Sequence, residues 1–452
     1  SYLKLATDVS SRAMAEGKVT KLQEAINNPI KPEATYYEEF NSFLNSYLHS
    51  FIEGKSAQDE LETAQAVAKL MLKNTKDKVG VDQVEFYSKL SVDAAKELLE
   101  ARLETEDLSK VVAIDHFQDS INKLYKVKEV FVRHRATADA QIVSFLLAKF
   151  LSKAGNLQQA RLEVDSQQNL AKEKHYLFNY AQQLLWDAQL NVLERKEQEV
   201  VRKLQESIDI CQKIDAEKFA LNPLLLISQV YVAAGEDQIA FVGSIEGLVN
   251  SLKQNHAAFS SQFLQNAGRA ATGLDKPYLA IEYLETSVEV SEKEELWGYS
   301  SVLKANLAAV LAQHGNLKRA ISLIEEAKSI NLGKTTDLSS KKQQLMHINL
   351  YEGKIYGLAK LYTRSEAAYR SFIAMSEEFG YKNMLNIGQA RKGLGEALLG
   401  QKRDREALEQ LEMAQEELEK LQQGLHPKNK NPFLDYSFSG KDIEELIKLI
   451  QP

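Results

Sequence analysis

The chain has 452 residues, a formal charge of −7 from 56 Lys and Arg against 63 Asp and Glu, and only 21 Gly and 7 Pro. A single hydrophobic core stops growing near roughly 250–300 residues, so this length predicts two domains or an elongated array of repeats. Because Gly and Pro are too scarce for the many turns of a β-sandwich or barrel, the composition excludes an all-β fold and favours long helices.

The same composition narrows the expected partners and compartment. Basic residues are not in excess, so the chain lacks the bulk positive charge that favours nucleic acid as a partner. The densest apolar stretch, 219–232, is interrupted by Asn222 and Pro223 and falls short of the roughly 18–20 residues of a membrane span. The single Cys211 cannot form an internal disulfide, which favours a cytoplasmic location. An exported location stays open because the chain starts at Ser1 without Met.

Residues 1–135 are predicted to be a separate helical region, either a bundle or degenerate repeats. Aromatic and apolar residues recur at three and four positions from Tyr36 to Phe51, a spacing typical of an amphipathic helix. Further helices are predicted at about 57–75, 82–104 and 108–134. A packed helical region is favoured over an exposed aromatic docking face, which stays as the alternative.

A regular repeat begins near residue 141, and its pattern returns at every fortieth position. Small residues recur at this spacing in the predicted first helix of each unit: Ala148, Ala188, Ser228, Gly268 and Ala308, with a later copy at Gly395. Twelve positions further on, a second column is small except at Val200: Ala160, Ala240, Ala280, Ala320 and Ala407. Glycine-containing turns separate the two helices, as at 153–157, 233–237 and 313–317.

These columns have a packing explanation. Two antiparallel helices approach closely only where the crossing point carries a small side chain, with larger apolar residues one turn away. Each unit is therefore predicted to be a helix, a tight turn and a helix that pack on the next unit. About seven such units are predicted over residues 141–424, of which Asp187 and Asn191 break the apolar pattern of the second.

The pattern resembles the tetratricopeptide repeat (TPR) family, which places Leu-Gly, an aromatic residue three positions on, then Ala and a further aromatic. Two units carry it most closely: Ala267, Gly268, Ala271, Ala280 and Leu284, and Leu394, Gly395, Leu398, Ala407 and Leu411. The resemblance implies an all-α, right-handed superhelical solenoid of antiparallel helix pairs, with a groove lined by the first helix of each pair. The period is longer than the usual one of the family, which indicates a long-repeat variant.

The C-terminal segment, 425–452, is predicted to be a loop followed by a helix. Gly424, Pro427 and Pro432 are loop signals, and Ile443 to Ile450 shows helical apolar spacing. We expect this helix to cap the open apolar end of the array, because terminal repeats of a solenoid need a covered face.

No pattern in the chain indicates catalysis, a metal or a cofactor. The eight His residues and Cys211 lack recognised metal-ligand spacing. Gly333 and Lys334 look like the end of a phosphate loop, but the earlier glycine of that motif is replaced by Lys328. The chain is therefore predicted not to be an enzyme.

The groove supplies the candidate binding residues. The residue after each small position is expected to face the inner surface, and neighbouring polar positions join it: Lys149, Gln189, Gln229, Gln262, Asn266, Arg269, Asn306 and Tyr356. Amides can hold a peptide main chain and an arginine can hold a carboxylate. A merely wettable inner wall explains the same residues equally well.

We therefore predict a non-catalytic scaffold or adaptor that binds a protein or peptide segment in the groove. The alternative is a regulatory module that senses a peptide or a small-molecule ligand, with the N-terminal helices as its effector part.

Overall fold

The computed structural model contains helices and no strand among the residues that it describes. Those residues are 36–109, 117–154, 156–193, 197–214, 216–335, 338–378, 384–423 and 440–450. They form two compact units, which we name the N-terminal unit (36–227 with 253–255) and the C-terminal unit (228–252 and 256–450). Residues 1–35 and the predicted loop at 424–439 lie outside the described residues.

Five helices precede the regular repeat. They are α1 (Tyr36–Ile52), α2 (Gln58–Thr75), α3 (Val79–Tyr87), α4 (Val92–Ser109) and α5 (Phe117–His134). The expectation of one helix over 82–104 is wrong, because a turn separates α3 from α4. Ser91 Oγ accepts a hydrogen bond of 3.3 Å from the main-chain N–H of Ala94, and so it caps the start of α4.

Ten helices then follow at a constant interval, each beginning half a repeat length after the last. They are α6 (Thr137–Lys153), α7 (Leu157–Lys174), α8 (Leu177–Leu193), α9 (Glu197–Lys213), α10 (Glu217–Ala233), α11 (Asp237–Lys253), α12 (Ala257–Gly273), α13 (Pro277–Lys293), α14 (Trp297–Gln313) and α15 (Leu317–Lys334). The border between the two units falls inside α10. One period of the sequence pattern is therefore one pair of helices.

The turns of this region share one backbone feature. A residue with positive φ follows many of the helices, at Gly235 (69°), Gly315 (83°) and also at non-glycine residues such as Asn255 (48°) and Glu295 (54°). A left-handed residue just after a helix satisfies its last carbonyl groups. Gly155, the counterpart in the first predicted turn, lies outside the described residues.

Two further helix pairs and one short helix follow, and in the two pairs α16 and α19 are longer than the helices before them. They are α16 (Leu338–Leu358), α17 (Tyr362–Glu378), α18 (Met384–Gly400), α19 (Asp404–Gln423) and α20 (Gly440–Ile450). Ile443 of α20 is buried against Leu411, Ala414 and Leu418 of α19. The predicted capping helix is confirmed.

Glycine and alanine allow the paired helices to approach closely. A Cβ at Gly268 would lie 2.8 Å from Leu284 Cγ and 3.3 Å from the main-chain oxygen of Ala280, both on α13. At Gly395 the corresponding distances are 2.8 Å to Leu411 Cγ and 3.4 Å to Ala407 O. All eleven small positions that the sequence pattern singles out are buried.

One pair of positions below residue 135 keeps the repeat interval, although the helices there do not begin at constant spacing. Ala68 and Gly80 stand two repeat lengths before Ala148 and Ala160, and a Cβ at Gly80 would lie 3.4 Å from Ala68 Cβ. One buried cluster of apolar residues runs from Phe40 to Leu190. Within the aromatic stripe of α1, Phe40, Leu44 and Leu48 are buried, so the packed interpretation of α1 is confirmed.

An ion-pair series joins the second helices of consecutive repeats in the C-terminal unit. In each pair, a residue about one turn after one small column residue meets a residue near the next. The pairs are Glu285 with Arg319, Glu325 with Arg364 (2.7 Å) and Arg370 with Glu406 (3.7 Å). The charges are reversed in the last pair.

Candidate partner-binding surface

The residue after each small packing position lies on a first helix and is polar in most repeats. In the N-terminal unit, Lys149 and Gln189 are half-buried. In the C-terminal unit, Gln229, Arg269 and Glu396 are exposed, whereas the equivalent Ala309 is buried.

Arg269 and the equivalent residues of the other repeats differ in the contacts that their side chains make. Within the described residues, no hydrogen bond or ion pair engages the side chains of Gln189, Gln229 or Arg269. Glu396, in contrast, pairs with Lys392 of its own helix at 3.0 Å. Lys149 Nζ lies 5.6 Å from the centroid of the Phe150 ring.

Three further candidates are buried or half-buried, and two of them make hydrogen bonds within the chain. Asn266 is buried, and its Nδ2 donates to Ser228 Oγ at 2.8 Å, which links α12 to α10. Gln262 Nε2 donates to the main-chain oxygen of Ala258 at 3.2 Å. Asn306 is buried, with 9% of its surface exposed.

Tyr356 belongs to a repeat whose register the sequence leaves less defined. A Cβ at Gly353 would lie 2.7 Å from Tyr369, at the same sequence interval that separates Leu284 from Gly268 and Leu411 from Gly395. The residue after the close-packed position is therefore Lys354. Tyr356 is buried, its hydroxyl lies 3.3 Å from Glu325 Oε1, and Arg364 lies over its ring. Burial raises the pKa of the Tyr356 hydroxyl above its usual value.

Asp187 and Asn191, which break the apolar pattern of the second repeat, form a buried polar cluster. Asp187 pairs with Arg161 of α7 and, at 2.7 Å, with Lys203 Nζ of α9. Asn191 Oδ1 accepts from Arg161 Nη2 at 2.8 Å. Lys203 follows Asp187 at the same interval that brings Leu284 to Gly268, so the sequence contained a signal for this contact.

A second polar layer, between α6 and α8, is absent from the sequence predictions. Asn179 Nδ2 donates to Gln141 Oε1 at 2.8 Å, and Gln183 Nε2 donates to the main-chain oxygen of Gln141 at 3.4 Å. Phe145 and Trp186, one turn from these amides, pack edge to face with ring centroids 5.5 Å apart. Buried amides of this kind have no periodic signature in the sequence.

Neither a metal site nor a membrane segment is found in the described part of the chain. No three His, Cys, Asp or Glu side chains gather there as metal ligands would. None of its helices combines the length and apolar character needed to cross a bilayer.

No protein-family model matches the chain, and no curated protein matches it in sequence. Among solved structures, aspartyl phosphate phosphatase F from Bacillus subtilis is similar with a TM-score of 0.51 and 11% identity, over 86% of this chain and 96% of that one. A Rap protein complexed with competence and sporulation factor is similar with a TM-score of 0.47 and 12% identity, over 78% of this chain and 98% of that one.

A third similar structure contains a tetratricopeptide repeat sensor. It is a Signal Transduction ATPase with Numerous Domains (STAND) protein with a tetratricopeptide repeat sensor from Pyrococcus horikoshii, with a TM-score of 0.48 and 13% identity over 91% of this chain and 65% of that one. The helix pairs described above and the likeness to aspartyl phosphate phosphatase F both indicate a helical repeat fold. The chain has the all-α, TPR-like repeat fold that its sequence predicts.

Proposed function

We propose that the chain is a protein-interaction module, and that the first helices of its repeats bind a segment of a partner protein. The observation that carries this proposal is Arg269. Its guanidinium is exposed and has no partner within the described residues, and it follows directly on the close-packed Gly268. The packing of α12 on α13 therefore determines the side of α12 from which Arg269 projects.

The contrast between two exposed first-helix residues, Gln229 and Arg269, and the paired charges of the second helices supports the same conclusion. In α13, α15, α17 and α19, charged side chains pair with each other in the series described above. On the first helices, Gln229 and Arg269 are exposed with no such partners among the described residues. Amides can donate to and accept from a peptide main chain, and a guanidinium binds a carboxylate through two parallel hydrogen bonds.

One observation favours a second candidate, a regulatory module that senses a peptide or small ligand. The border between the two compact units falls within α10, just after Pro223. Proline removes one hydrogen bond from the helical ladder and locally weakens it. Small-angle scattering with and without a bound ligand tests this candidate, since a sensor of this kind should change its radius of gyration and a static scaffold should not.

The experiment for the interaction module compares two charge reversals. Arg269→Glu changes an exposed arginine on a first helix, whereas Arg405→Glu changes an exposed arginine on a second helix, α19. The immobilised variants are incubated with lysate of the source cells, and the retained proteins are quantified by mass spectrometry. We expect a partner that Arg405→Glu retains at the wild-type level and Arg269→Glu loses. Equal retention by both variants would contradict a role for this surface.

A further inference from the structure

Arg391 of α18 is a largely buried arginine with few acceptors around it. Only 14% of its side chain is exposed, and its Nη1 donates to Gln410 Oε1 of α19 at 3.2 Å. Within the described residues, the one carboxylate near it is that of Glu377, 3.9 Å from Nη2, and Nε has no hydrogen-bond partner. A guanidinium donates from all three of its nitrogen atoms, so a buried arginine needs more acceptors than these.

Arg403, in the turn between α18 and α19, shows what Arg391 lacks. Arg403 donates through Nε and Nη2 to Glu406 and through Nη1 to Glu366, at 2.6–2.9 Å. Its side chain is more exposed than that of Arg391, yet each of its nitrogen atoms has a carboxylate partner. The surroundings of Arg391 are therefore short of an acceptor.

A further contact of Arg391 is with the sulfur atom of Met413 on α19. Arg391 Nη1 lies 3.3 Å from Met413 Sδ, and Gln410 Nε2 lies 3.9 Å from the same atom. Since Gln410 Oε1 accepts from Arg391, the NH₂ group of that amide is the side that faces the sulfur. A thioether sulfur accepts hydrogen bonds only weakly, so both donors are poorly satisfied.

Met413 is also open to reagents in solution. It has 38% of its surface exposed, whereas Met71 and Met346 are buried and Met375 is half-buried. Met413 is thus the most exposed of the methionines whose side chains the structure describes. An accessible thioether is the group that peroxides convert to methionine sulfoxide.

We propose that Met413 is a site of reversible oxidation by peroxides, and that Arg391 and Gln410 bind the sulfoxide oxygen. The sulfur lone pair attacks one oxygen of hydrogen peroxide, and the O–O bond breaks. The hydroxide that leaves takes the proton of the transferred oxygen and becomes water, so sulfur is oxidised by two electrons and the peroxide is reduced. Methionine sulfoxide reductases reverse the modification.

The sulfoxide oxygen is the acceptor that this place lacks. Methionine is unbranched and flexible, so rotation of the oxidised side chain turns the oxygen from solvent towards Arg391 Nη1 and Gln410 Nε2. Oxidation of a methionine usually weakens packing, because it places a polar group among apolar ones. At Met413 it gives a buried guanidinium a strong acceptor, and the pairing of α18 with α19 becomes more stable.

The test treats the full chain with hydrogen peroxide and follows each methionine by peptide mass spectrometry. We expect Met413 to oxidise at least about tenfold faster than Met71 and Met346 in the same sample. Hydrogen exchange of residues 404–419 then measures the local stability of α19. In wild type, oxidation should slow this exchange by about three- to tenfold, as one added hydrogen bond does. Treatment with reductases for both sulfoxide epimers should reverse the change.

Three variants separate this site from general oxidative damage. Met413→Leu, treated in the same way, reports the effect of every other oxidised methionine and should show no slowing. Arg391→Leu keeps Met413 but removes its nearer donor, so oxidation should then speed exchange in α19. Gln410→Leu removes the more distant donor at a half-buried position, and oxidation should slow its exchange less than in wild type.

The outcomes are exclusive. Oxidation of Met413 no faster than that of Met71, faster exchange in oxidised wild type, or equal slowing in wild type and Arg391→Leu would each overturn the proposal. If Arg391→Leu does not fold, equal slowing in wild type and Gln410→Leu overturns it in the same way. Each of these results leaves the interaction function standing, because that function depends on Arg269 of α12.

Discussion

Two regions of the molecule use the same helix spacing and the same columns of small residues, but they differ in the side chains that pack beside the crossing. In the C-terminal unit, Gly268 has no side chain, and Leu284 of the partner helix fills the space. In the N-terminal unit, Asp187 holds a cation on each side, Arg161 and Lys203, and is almost entirely buried. The length of the repeat therefore fixes where helices cross and leaves open which side chains pack beside the crossing.

The two solutions have different energetic consequences. A small residue at the crossing allows dispersion contacts without desolvating a charge. Removing one neighbouring side chain should therefore lower the stability only moderately. A buried ion pair gains little net stability when complete, but it becomes very unfavourable when one partner is removed. The polar interior of α6–α9 should therefore be the more fragile region.

The largest expected effect is on the buried carboxylate. Asp187→Ala leaves Arg161 and Lys203 without their shared counter-ion, and we expect a loss of about 3 kcal/mol in the free energy of unfolding. Urea denaturation measures it, with the exposed Asp209→Ala as the control. Burial raises the pKa of the Cys211 thiol to about 12, so labelling of this single cysteine at neutral pH reports opening of the N-terminal unit. Labelling of Asp187→Ala at the wild-type rate would contradict the expectation.

The second-largest loss of stability is expected from overpacking at Gly268. In Gly268→Leu the new Cβ alone lies within 2.8 Å of Leu284 Cγ, so α12 and α13 must separate. We expect a loss of about 1–3 kcal/mol, and Ala308→Leu should behave similarly. Cys211 lies in the other unit, so its labelling should change less than in Asp187→Ala. Unchanged melting of both leucine variants would refute the packing role of this column.

Some of these features were predictable and others were not. Gly268 and Ala280 stand out because small residues at a fixed interval are rare in apolar helices, and the helix pairs follow from them. Ala68 and Gly80 obey the same interval, but the residues around them do not, so one pair of small residues could not carry a prediction. Asp187 interrupts the apolar pattern of its own helix, and its charged partners lie on the helices before and after it. The pattern of one helix therefore does not reveal them. The hydrogen bonds of Gln141 and Gln183 depend on side-chain geometry, which no sequence interval records.

Replacing either of two glycines one turn apart on α11 by alanine should change the stability in opposite directions. A Cβ at Gly243 meets nothing within 4 Å, whereas a Cβ at Gly247 would lie 2.1 Å from Phe263 Cε1. Gly243→Ala should stabilise by up to about 1 kcal/mol through helix propensity. Gly247→Ala should lose about 1 kcal/mol or more, because the Phe263 ring must move. Thermal melting compares the two, and a shift in the same direction for both would mean that close approach is not what selects glycine on this helix.

The smallest effect concerns the ion pairs between second helices. Glu285 and Arg319 are each well exposed, with 36% and 49% of the side chain accessible, so their pairing should contribute only about 0.5 kcal/mol. Glu285→Arg places two cations together and should lose that amount or slightly more, and Glu285→Arg with Arg319→Glu should recover it. The natural reversal at Arg370 and Glu406 shows that this geometry accepts either polarity. A double-mutant cycle at low and high salt measures the coupling, which should shrink as salt screens it. Coupling that persists at high salt would mean that the second helices are held together by more than exposed charge.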